Sequence, residues 1–495
     1  AWAATTKYRK GKKMMKFTSF LRQSGEERTR KILTGGVYGT MLFLAVPSFL
    51  MLISQALATT FDNWFILNYA DLSSSGAVSY SMQAFNVIYN AGIGLSVAGT
   101  AILGRFNGQG DWEQSRHYTR QFLALMFCLS VALGGLTFLL SGFYANMALP
   151  DLRPGVRLAM RLYAFSIPFA YFNNAYYALK NAVGKSEVPF VFTFLMVFTK
   201  VICNAIFVAG LGLGVMGIGF ATICSHLVVS LVLLFDVFFR KNGMHLSFRH
   251  FRFDKDAIRT LLTVGIPSVI NNMAMSVGFW LINLEAMKFG TTLLNSINLG
   301  NNISSLMYNL TSCFGTTVTT AVSLNLGAGQ NKRAKASAVA SVVMSTIGGF
   351  LGIAIIYLFG EPITHLFTNA NPEVLEGALT TQKIAVLGAP TFGVCSVYCG
   401  VFIGFARTKL PIAINVARVW LLRYVFIRVV ESQLFLETIM GGRIHINYTV
   451  IPWATVFSNT MTAIFAYVVY KTLRWEGQHN FIVKKSHTAK EGVKN

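Results

Sequence analysis

The chain has 495 residues, of which 54% are hydrophobic and only 12% are charged, and its mean hydropathy is +0.52. No water-soluble globular domain of this length needs so many apolar residues, so the composition excludes that class and indicates a polytopic membrane protein. The formal net charge of +23 could suggest a nucleic-acid-binding protein, but the distribution of the basic residues argues against that partner.

Twelve apolar windows follow one another along the chain, separated by short polar or glycine-rich breaks. As a helix, each window is long enough to cross a hydrocarbon core roughly 30 Å thick. Most windows lack the two-residue alternation of a porin strand, so the sequence predicts an all-α protein with twelve transmembrane helices. The windows are residues 39–67, 78–104, 119–141, 158–180, 188–210, 214–239, 261–287, 294–322, 337–359, 380–405, 411–436 and 448–472.

Basic residues concentrate on alternate connections between the windows. With the N-terminus inside the cell, the cytoplasmic segments contain 32 of the 42 Lys and Arg residues, and the outer connections contain six. This asymmetry is the positive-inside signature. It predicts a multi-pass protein of the cell membrane with both termini in the cytoplasm. The basic stretch 7–16 is then a topology determinant that can contact anionic lipid, and no nucleic-acid partner is expected.

The two halves of the sequence repeat one plan. "VPS" at 46–48 matches "IPS" at 266–268 with an offset of 220, and "GQG" at 108–110 matches "GAG" at 327–329 with an offset of 219. Repeated parallel halves predict two six-helix bundles related by a pseudo-twofold axis along the membrane normal, with a cavity between them. The predicted divisions are a basic cytoplasmic extension (1–32), an N-terminal lobe (33–239), a cytoplasmic linker (240–255), a C-terminal lobe (256–473) and a cytoplasmic tail (474–495). Both terminal extensions are predicted to be disordered.

Several of these features occur in an order that resembles a known family. Pro47 and Asp62 lie in the first window, "GRFNGQGDWEQSRHY" and "SLNLGAGQNKRAKAS" follow the second and eighth windows, and "GLGVMGIGFATICS" enters the sixth. Together they resemble the multidrug and toxic compound extrusion (MATE) transporters of the MOP flippase superfamily, over nearly the whole chain. The resemblance implies a secondary antiporter that exports organic compounds by alternating access, driven by a proton or sodium gradient and without a cofactor.

Asp62 is the acidic residue that most needs an explanation. An ionised carboxylate in hydrocarbon costs several kcal/mol unless it meets water, a cation or a proton, so Asp62 is expected in the protein interior or in a wet cavity. The resemblance implies a coupling site in the N-terminal half, where protonation of this Asp bends the first helix. Pro47 is the predicted hinge, because its ring interrupts the helical hydrogen bonds. The alternative is a solvated or helix-capping carboxylate near the outer interface.

The fifth window departs from the family pattern. Relatives in this branch have an Asn and, four residues on, an Asp, whereas "FTKVICNAIFVAG" has Lys200 and Asn204, on one helix face. The exchange makes the site more positive, which argues against sodium. We predict an Asp62–Lys200 ion pair with Asn204 and Thr222 hydrogen-bonded to it, Thr222 matching a family position. A proton on Asp62 would break the pair; the alternative is a permanent structural pair that never titrates.

Other polar and aromatic residues are candidates for the substrate cavity. Rings around residues 170–179 could bind drugs by stacking and cation–π contact, or could simply pack. Two adjacent asparagines of window 7 could satisfy each other or line the cavity. The candidates are Asn173, Asn174, Tyr177, Asn181, Asn271, Asn272 and Arg418.

Window 11 contains three arginines spaced by five residues, Arg418, Arg423 and Arg428. On an α-helix this spacing turns the side chain by about 140° per step, so they are not expected to form one stripe. They could snorkel, form ion pairs or attract anions. Glu285, near Lys288, is either solvated at the interface or a coupling residue. Acidic residues that the other family branch uses in windows 7 and 10 are missing, so no second coupling site is expected.

Two other classes of function remain open at this point. A lipid-linked oligosaccharide or lipid flippase of the same superfamily could use inward Lys and Arg to attract phosphates, although such relatives often have fourteen spans. A membrane-embedded enzyme is disfavoured, since the chain has no HExxH, GxSxG, carboxylate-pair or nucleotide-loop motif, and its six cysteines have no metal or redox spacing. We therefore expect a monomeric transporter in the bilayer, with a small organic substrate and no bound metal.

Overall fold

The computed structural model describes residues 25–69, 72–148, 150–238, 251–367, 372–431, 448–473 and 475. Every long regular element in these ranges is helical. The first eight α-helices are α1 (Gly25–Thr34), α2 (Val37–Tyr69), α3 (Leu72–Gln109), α4 (Trp112–Asn146), α5 (Arg153–Ala182), α6 (Glu187–Asn204), α7 (Gly214–Phe238) and α8 (Lys255–Met287). The others are α9 (Thr291–Gly327), α10 (Asn331–Phe367), α11 (Pro372–Val386), α12 (Ala389–Gly404), α13 (Lys409–Val416), α14 (Val425–Val430) and α15 (Val450–Lys471). A short 3₁₀ turn, Pro150–Leu152, precedes α5.

Two of the spans contain π-helical segments. The segment Ala205–Gly210 extends α6, and Ala417–Tyr424 joins α13 to α14. In a π-helix the backbone hydrogen bonds join residues five apart instead of four. This difference changes which side chains share a face in the eleventh span, which contains Arg418, Arg423 and Arg428.

Twelve spans can be traced through the described residues, counting α6 and α13–α14 with their π segments and joining α11 to α12. Eight of the spans are long and apolar enough to cross a bilayer by length and composition, and the α11–α12 pair, bent by 50°, makes nine. Helices α5, α9 and α15 have 30, 37 and 22 residues, which also reaches the roughly 20 residues that a crossing needs. The predicted twelve-helix fold is confirmed. The eleventh span reaches Val430, and the end of its predicted window lies outside the described residues.

The N-terminal lobe (α2–α7) and the C-terminal lobe (α8–α15) meet in a contact that reproduces their twofold relation. A Cβ on Gly108 of α3 would lie 2.1 Å from the carbonyl oxygen of Leu324, and a Cβ on Gly327 of α9 would lie 2.2 Å from that of Arg105. At the offset of 219, Gly108 corresponds to Gly327 and Arg105 to Leu324. Each lobe therefore places the same glycine against the same backbone position of the other, as a twofold axis requires.

These contacts lie on the membrane face at which α2 begins and α3 and α9 end, which we call the N-terminal face. Further from that face, Gly94 of α3 lies against the backbone of Ser268 on α8, and Gly265 of α8 against Leu95. Glycine allows two helix backbones to approach this closely within a membrane. The lobes are thus packed together in the half of the molecule nearer the N-terminal face.

Helix α1 connects the two lobes at this face. Arg28 of α1 is 1% exposed; its Nε donates to the carbonyl oxygen of Gly184 (3.1 Å) and its Nη2 to Glu187 Oε2 (2.9 Å). Arg333, at the start of α10, donates to the carbonyl oxygens of Ile32 (2.7 Å) and Gly35. The expectation that residues 1–32 are disordered is therefore wrong for residues 25–32. Residues 1–24, and most of the predicted linker 240–255 and tail 474–495, lie outside the described residues.

The Arg28–Glu187 pair supports a prediction about α1. Burial lowers the pKa of Arg28 to about 10, while the Glu187 carboxylate acts in the opposite direction, so the guanidinium stays charged at neutral pH. We expect Glu187→Ala to lower the free energy of unfolding by about 2 kcal/mol, because it leaves a buried cation without this carboxylate. Thermal unfolding in detergent measures the loss. Glu26→Ala, an exposed change on α1, should leave Tm unaltered, and equal effects of the two changes would contradict the assignment.

Candidate coupling site and substrate cavity

Asp62 of α2 lies inside the N-terminal lobe and is only 2% exposed. Its Oδ2 accepts from Lys200 Nζ at 2.5 Å, and its Oδ1 accepts from Asn204 Nδ2 at 2.9 Å. Lys200 and Asn204 are four residues apart on α6, so both reach the carboxylate from one helix face. The structure thus brings together three of the four predicted coupling residues in a buried ion pair that joins α2 to α6.

Thr222 does not take the predicted part in this group. Its hydroxyl donates to the carbonyl oxygen of Ile218 on its own helix, α7 (2.9 Å), so its single hydrogen is not available to Asp62. Serine and threonine in transmembrane helices commonly bond to the carbonyl four residues earlier. The π segment Ala205–Gly210 begins directly after Asn204, and such irregular turns are frequent at functional sites.

Asn173 binds α7 inside the N-terminal lobe. Its Nδ2 donates to the carbonyl oxygen of His226 (3.3 Å), and its Oδ1 accepts from Ser230 Oγ (2.8 Å). This places Asn173 away from the cavity wall for which it was predicted. His226, 7% exposed, was not among the sequence candidates, although a lone histidine in the apolar stretch "ICSHLVVS" is a visible signal.

A cavity of about 320 Å³ lies between the lobes. Its wall combines α2, α3 and α5 of the N-terminal lobe with α9 and α12 of the C-terminal lobe, and it includes the predicted residues Asn174, Tyr177 and Asn181. The lining contains no Asp, Glu, Lys or Arg among the described residues. Its polar side chains are Ser48, Gln55, Ser96, Thr100, Asn174, Tyr177, Asn181, Ser186, Thr316, Thr317, Thr319, Thr320 and Ser396.

One of the lining side chains has a polar atom that suits a ligand. Ser96 Oγ is buried and makes no hydrogen bond within the described part of the chain. A buried polar group is costly when unpaired, so this atom can bind an incoming group. Four of the cavity threonines come from "GTTVTT" on α9, residues 315–320, a polar run in a transmembrane window that was not among the predicted cavity residues.

Helix α2 belongs to both the ion pair and the cavity. Its residues Leu44, Ser48 and Gln55 line the cavity, and Asp62 follows about two turns beyond Gln55. Pro47, the predicted hinge, lies within this stretch, where α2 remains helical. A change at Asp62 can therefore reach the cavity through a single helix.

The predicted C-terminal candidates do not line this cavity. Asn271 Oδ1 accepts from Asn415 Nδ2 of α13 (3.0 Å), and Asn272 Nδ2 donates to the carbonyl oxygen of Ser268 (2.9 Å), so the two asparagines have separate partners. Arg418, 5% exposed, lies over the ring of Phe392, 4.9 Å from its centroid. These partners all belong to the C-terminal lobe, in which Arg418 is buried and the two asparagines are half-buried.

Glu285 takes part in a charged cluster on the opposite membrane face. It pairs with Lys288 and lies 3.8 Å from Arg428 Nη1, while Glu431 lies 3.5 Å from Lys288 Nζ. Lys288 and Arg428 are 49% and 55% exposed. Glu285 itself is only 6% exposed, so it is covered by its exposed basic partners and is not the freely solvated carboxylate that was predicted.

Two six-helix bundles on a pseudo-twofold axis, a cavity between them and a buried ion pair in one of them define a multi-pass membrane transporter. The MatE family model matches residues 47–206 and 267–429, one segment in each lobe, and the chain belongs to this family. The members of this family are transporters and not enzymes.

Relatives agree with the family assignment over most of the chain. The chain is 24% identical over 455 residues to the probable multidrug resistance protein YpnP of Bacillus subtilis, covering 91% of this chain and 98% of that one. It is 22% identical over 389 residues to the probable multidrug resistance protein NorM of Neisseria meningitidis serogroup B, covering 76% and 83%. Among solved structures, a MOP superfamily transporter from Pyrococcus furiosus matches with a TM-score of 0.81 at 18% identity, covering 89% of this chain and 96% of that chain.

Proposed function

We propose that the protein is an antiporter that exports organic, drug-like compounds in exchange for protons bound at Asp62. Family membership and the names of the relatives support export of drugs. The uncharged cavity supports a broad substrate range, because hydroxyl and amide groups can bind many compounds without requiring one charge. The observation that carries the proton assignment is the Asp62–Lys200 ion pair at 2.5 Å.

A sodium ion fits this site poorly. Both carboxylate oxygens of Asp62 already accept hydrogen bonds, and one donor is an ammonium group. A sodium ion on Asp62 would lie next to the positive charge of Lys200 in a medium of low dielectric constant, where like charges repel strongly. A proton needs only one oxygen lone pair, so it can replace Lys200 as the partner of the carboxylate.

Protonation would change the forces on α2. A neutral Asp62 no longer holds the Lys200 ammonium, which is 14% exposed and would move toward water or another acceptor. The α2–α6 contact then weakens, and α2, which lines the cavity and contains Pro47, is free to bend. The N-terminal face is the predicted cytoplasmic side, so the packed lobes correspond to a state that is closed to the cytoplasm.

Transport in proteoliposomes tests the proposal. With an acidic lumen and no sodium, wild-type protein should accumulate ethidium, and nigericin, which collapses the pH gradient, should abolish the accumulation. Liposomes without protein are the control for passive entry. Accumulation driven by a sodium gradient at equal pH on both sides would show that the coupling ion is sodium and would refute the proton assignment.

A further inference from the structure

Two arginines lie buried in the C-terminal lobe among neutral partners. Arg418 and Arg423 are 5% and 6% exposed. Arg418 Nη2 contacts Met275 Sδ (3.7 Å), while Arg423 donates to Ser458 Oγ (3.1 Å) and Asn459 Oδ1 (3.2 Å). No carboxylate of the described residues lies within ion-pair distance of either guanidinium. A buried cation without a counter-charge is costly, so this pair needs an explanation.

Both side chains contact one face of α8. The residues that they contact on α8, Met275 for Arg418 and Phe279 for Arg423, are four apart and therefore share a face of that helix. The π segment Ala417–Tyr424 explains why two arginines five residues apart point the same way, since residues i and i+5 are neighbours there. The separation of about 140° per step that was predicted for an α-helix does not hold for this pair.

The residues on the other side of the two arginines also contact one another. The ring of Phe392, beneath Arg418, meets the ring of Tyr308 edge-on with centroids 5.0 Å apart. A Cβ on Gly388 would lie 3.1 Å from both the Tyr308 hydroxyl and Asn459 Nδ2, so the partner of Arg423 lies close to Tyr308 as well. The two guanidinium groups are thus surrounded by the same elements: α8, α9, α12 and α15.

The two lobes differ in how they treat a buried cation. In the N-terminal lobe, Lys200 is neutralised by Asp62 of the first span. At the offset of 220, the position equivalent to Asp62 is Ile282 of α8, which is 7% exposed and packs in one apolar cluster with Val419. The C-terminal lobe therefore has two buried cations, and an apolar side chain takes the position at which the N-terminal lobe has its balancing acid.

We propose that Arg418 and Arg423 form a binding subsite for an anionic oxygen group, a carboxylate or a phosphate, of the transported compound. A guanidinium group offers paired donors that match such groups, and Arg418 Nε is buried without a hydrogen-bond partner in the described structure. An anion between the two groups relieves their mutual repulsion. The subsite rests on the proposed export function. It predicts that the exported compounds include anionic or zwitterionic ones.

A pair of dyes that differ in one charge tests the subsite. Proteoliposomes of neutral lipid are given a rhodamine with a free carboxylate or the methyl ester of the same rhodamine. Wild-type protein should favour the free carboxylate, and Arg418→Gln with Arg423→Gln should reduce the ratio of carboxylate to ester uptake about tenfold, as expected when a charge-assisted hydrogen bond is lost. Arg418→Lys with Arg423→Lys should restore part of the preference, because the charge returns.

Arg428→Gln is the matched control, since this arginine lies on the same span but is exposed and paired with Glu285 and Glu431. It should leave the uptake ratio unchanged. An equal loss of both dyes in the double Gln variant, or no preference in the wild type, would overturn the subsite. Loss of the arginine effect when phosphatidylglycerol is added would also overturn the subsite, because the arginines would then bind the anionic lipid instead of the transported compound.

The dye assay also separates this proposal from the general function. Uptake of the ester driven by a pH gradient reports the transport function by itself. If the ester is not transported, the export proposal fails, and the subsite is then decided by fluorescence polarisation of the carboxylate dye in nanodiscs. Binding that is displaced by inorganic phosphate and lost in the double Gln variant supports the subsite; binding that is indifferent to the arginines refutes it.

Discussion

Asp62→Asn is expected to abolish export driven by a pH gradient, with rates at least 100-fold below wild type and at the level of empty liposomes, an effect on the order of 3 kcal/mol. The substitution preserves the size of the side chain and its hydrogen bond with Asn204, but it removes the carboxylate that Lys200 contacts at 2.5 Å. An amide cannot release a proton, so the cycle cannot exchange one. Exchange of the same dye across the membrane without a gradient should persist more strongly than uphill transport.

Asp236→Asn is the matched control for this change. Asp236 forms a second ion pair in the same lobe, with Lys180 at 2.9 Å, and it also accepts a hydrogen bond from Tyr176. Its loss should lower stability and leave proton-driven export in place. If Asp62→Asn still couples transport to protons, or if Asp236→Asn removes coupling as well, Asp62 is not the proton site.

A double-mutant cycle then measures the pair itself. Asp62→Asn and Lys200→Gln should each destabilise the protein by about 3 kcal/mol, because each leaves one buried charge unpaired. The double variant should lose less than the sum by at least about 2 kcal/mol. Chemical unfolding in detergent measures the three values. Additive losses would mean that the two charges do not interact, and coupled losses with intact proton-driven export would favour the permanent structural pair.

The sequence predicted the parts of the molecule that depend on helical repetition and on the cost of charge in lipid. Apolar windows and the offset of 219 to 222 between the halves were enough for twelve spans and a twofold axis. Asp62, Lys200 and Asn204 were found because an acid and a base that are both costly in hydrocarbon lower their energy by meeting.

The rest depended on contacts that spacing does not show. Thr222 does not contact Asp62 as predicted, because its hydroxyl bonds to its own helix. Asn173 does not line the cavity as predicted, because packing sets the rotation of α5 about its axis. The arginine spacing failed because a π segment changes the angle per residue. Helix α1 is short and polar, and its stability depends on the contact between Arg28 and Glu187, which are far apart in sequence. No local sequence pattern therefore indicated this helix.

Gly108→Ala is expected to shift the protein toward a state that is open at the N-terminal face. The new Cβ would lie 2.1 Å from the carbonyl oxygen of Leu324, which is backbone and cannot rotate away, so α3 and α9 must separate. Forced overpacking costs about 1–3 kcal/mol. Because the cost falls only on the packed state, the ratio of open to packed molecules should rise by about 5- to 150-fold.

Cysteine labelling measures this shift, because the cavity would become accessible from the N-terminal face. In a variant without the native cysteines, a single Ser96→Cys in the cavity wall is labelled by a membrane-impermeant maleimide added on that face. Gly108→Ala should speed labelling, and so should Gly327→Ala, its twofold equivalent, whose Cβ would lie 2.2 Å from the carbonyl oxygen of Arg105. Gly135→Ala on α4 meets open space and should leave the rate unchanged. Unaltered labelling in both interface variants would show that this glycine contact does not set the closure of the N-terminal face, since a gate formed by the two backbones cannot accept the extra methyl group and stay shut.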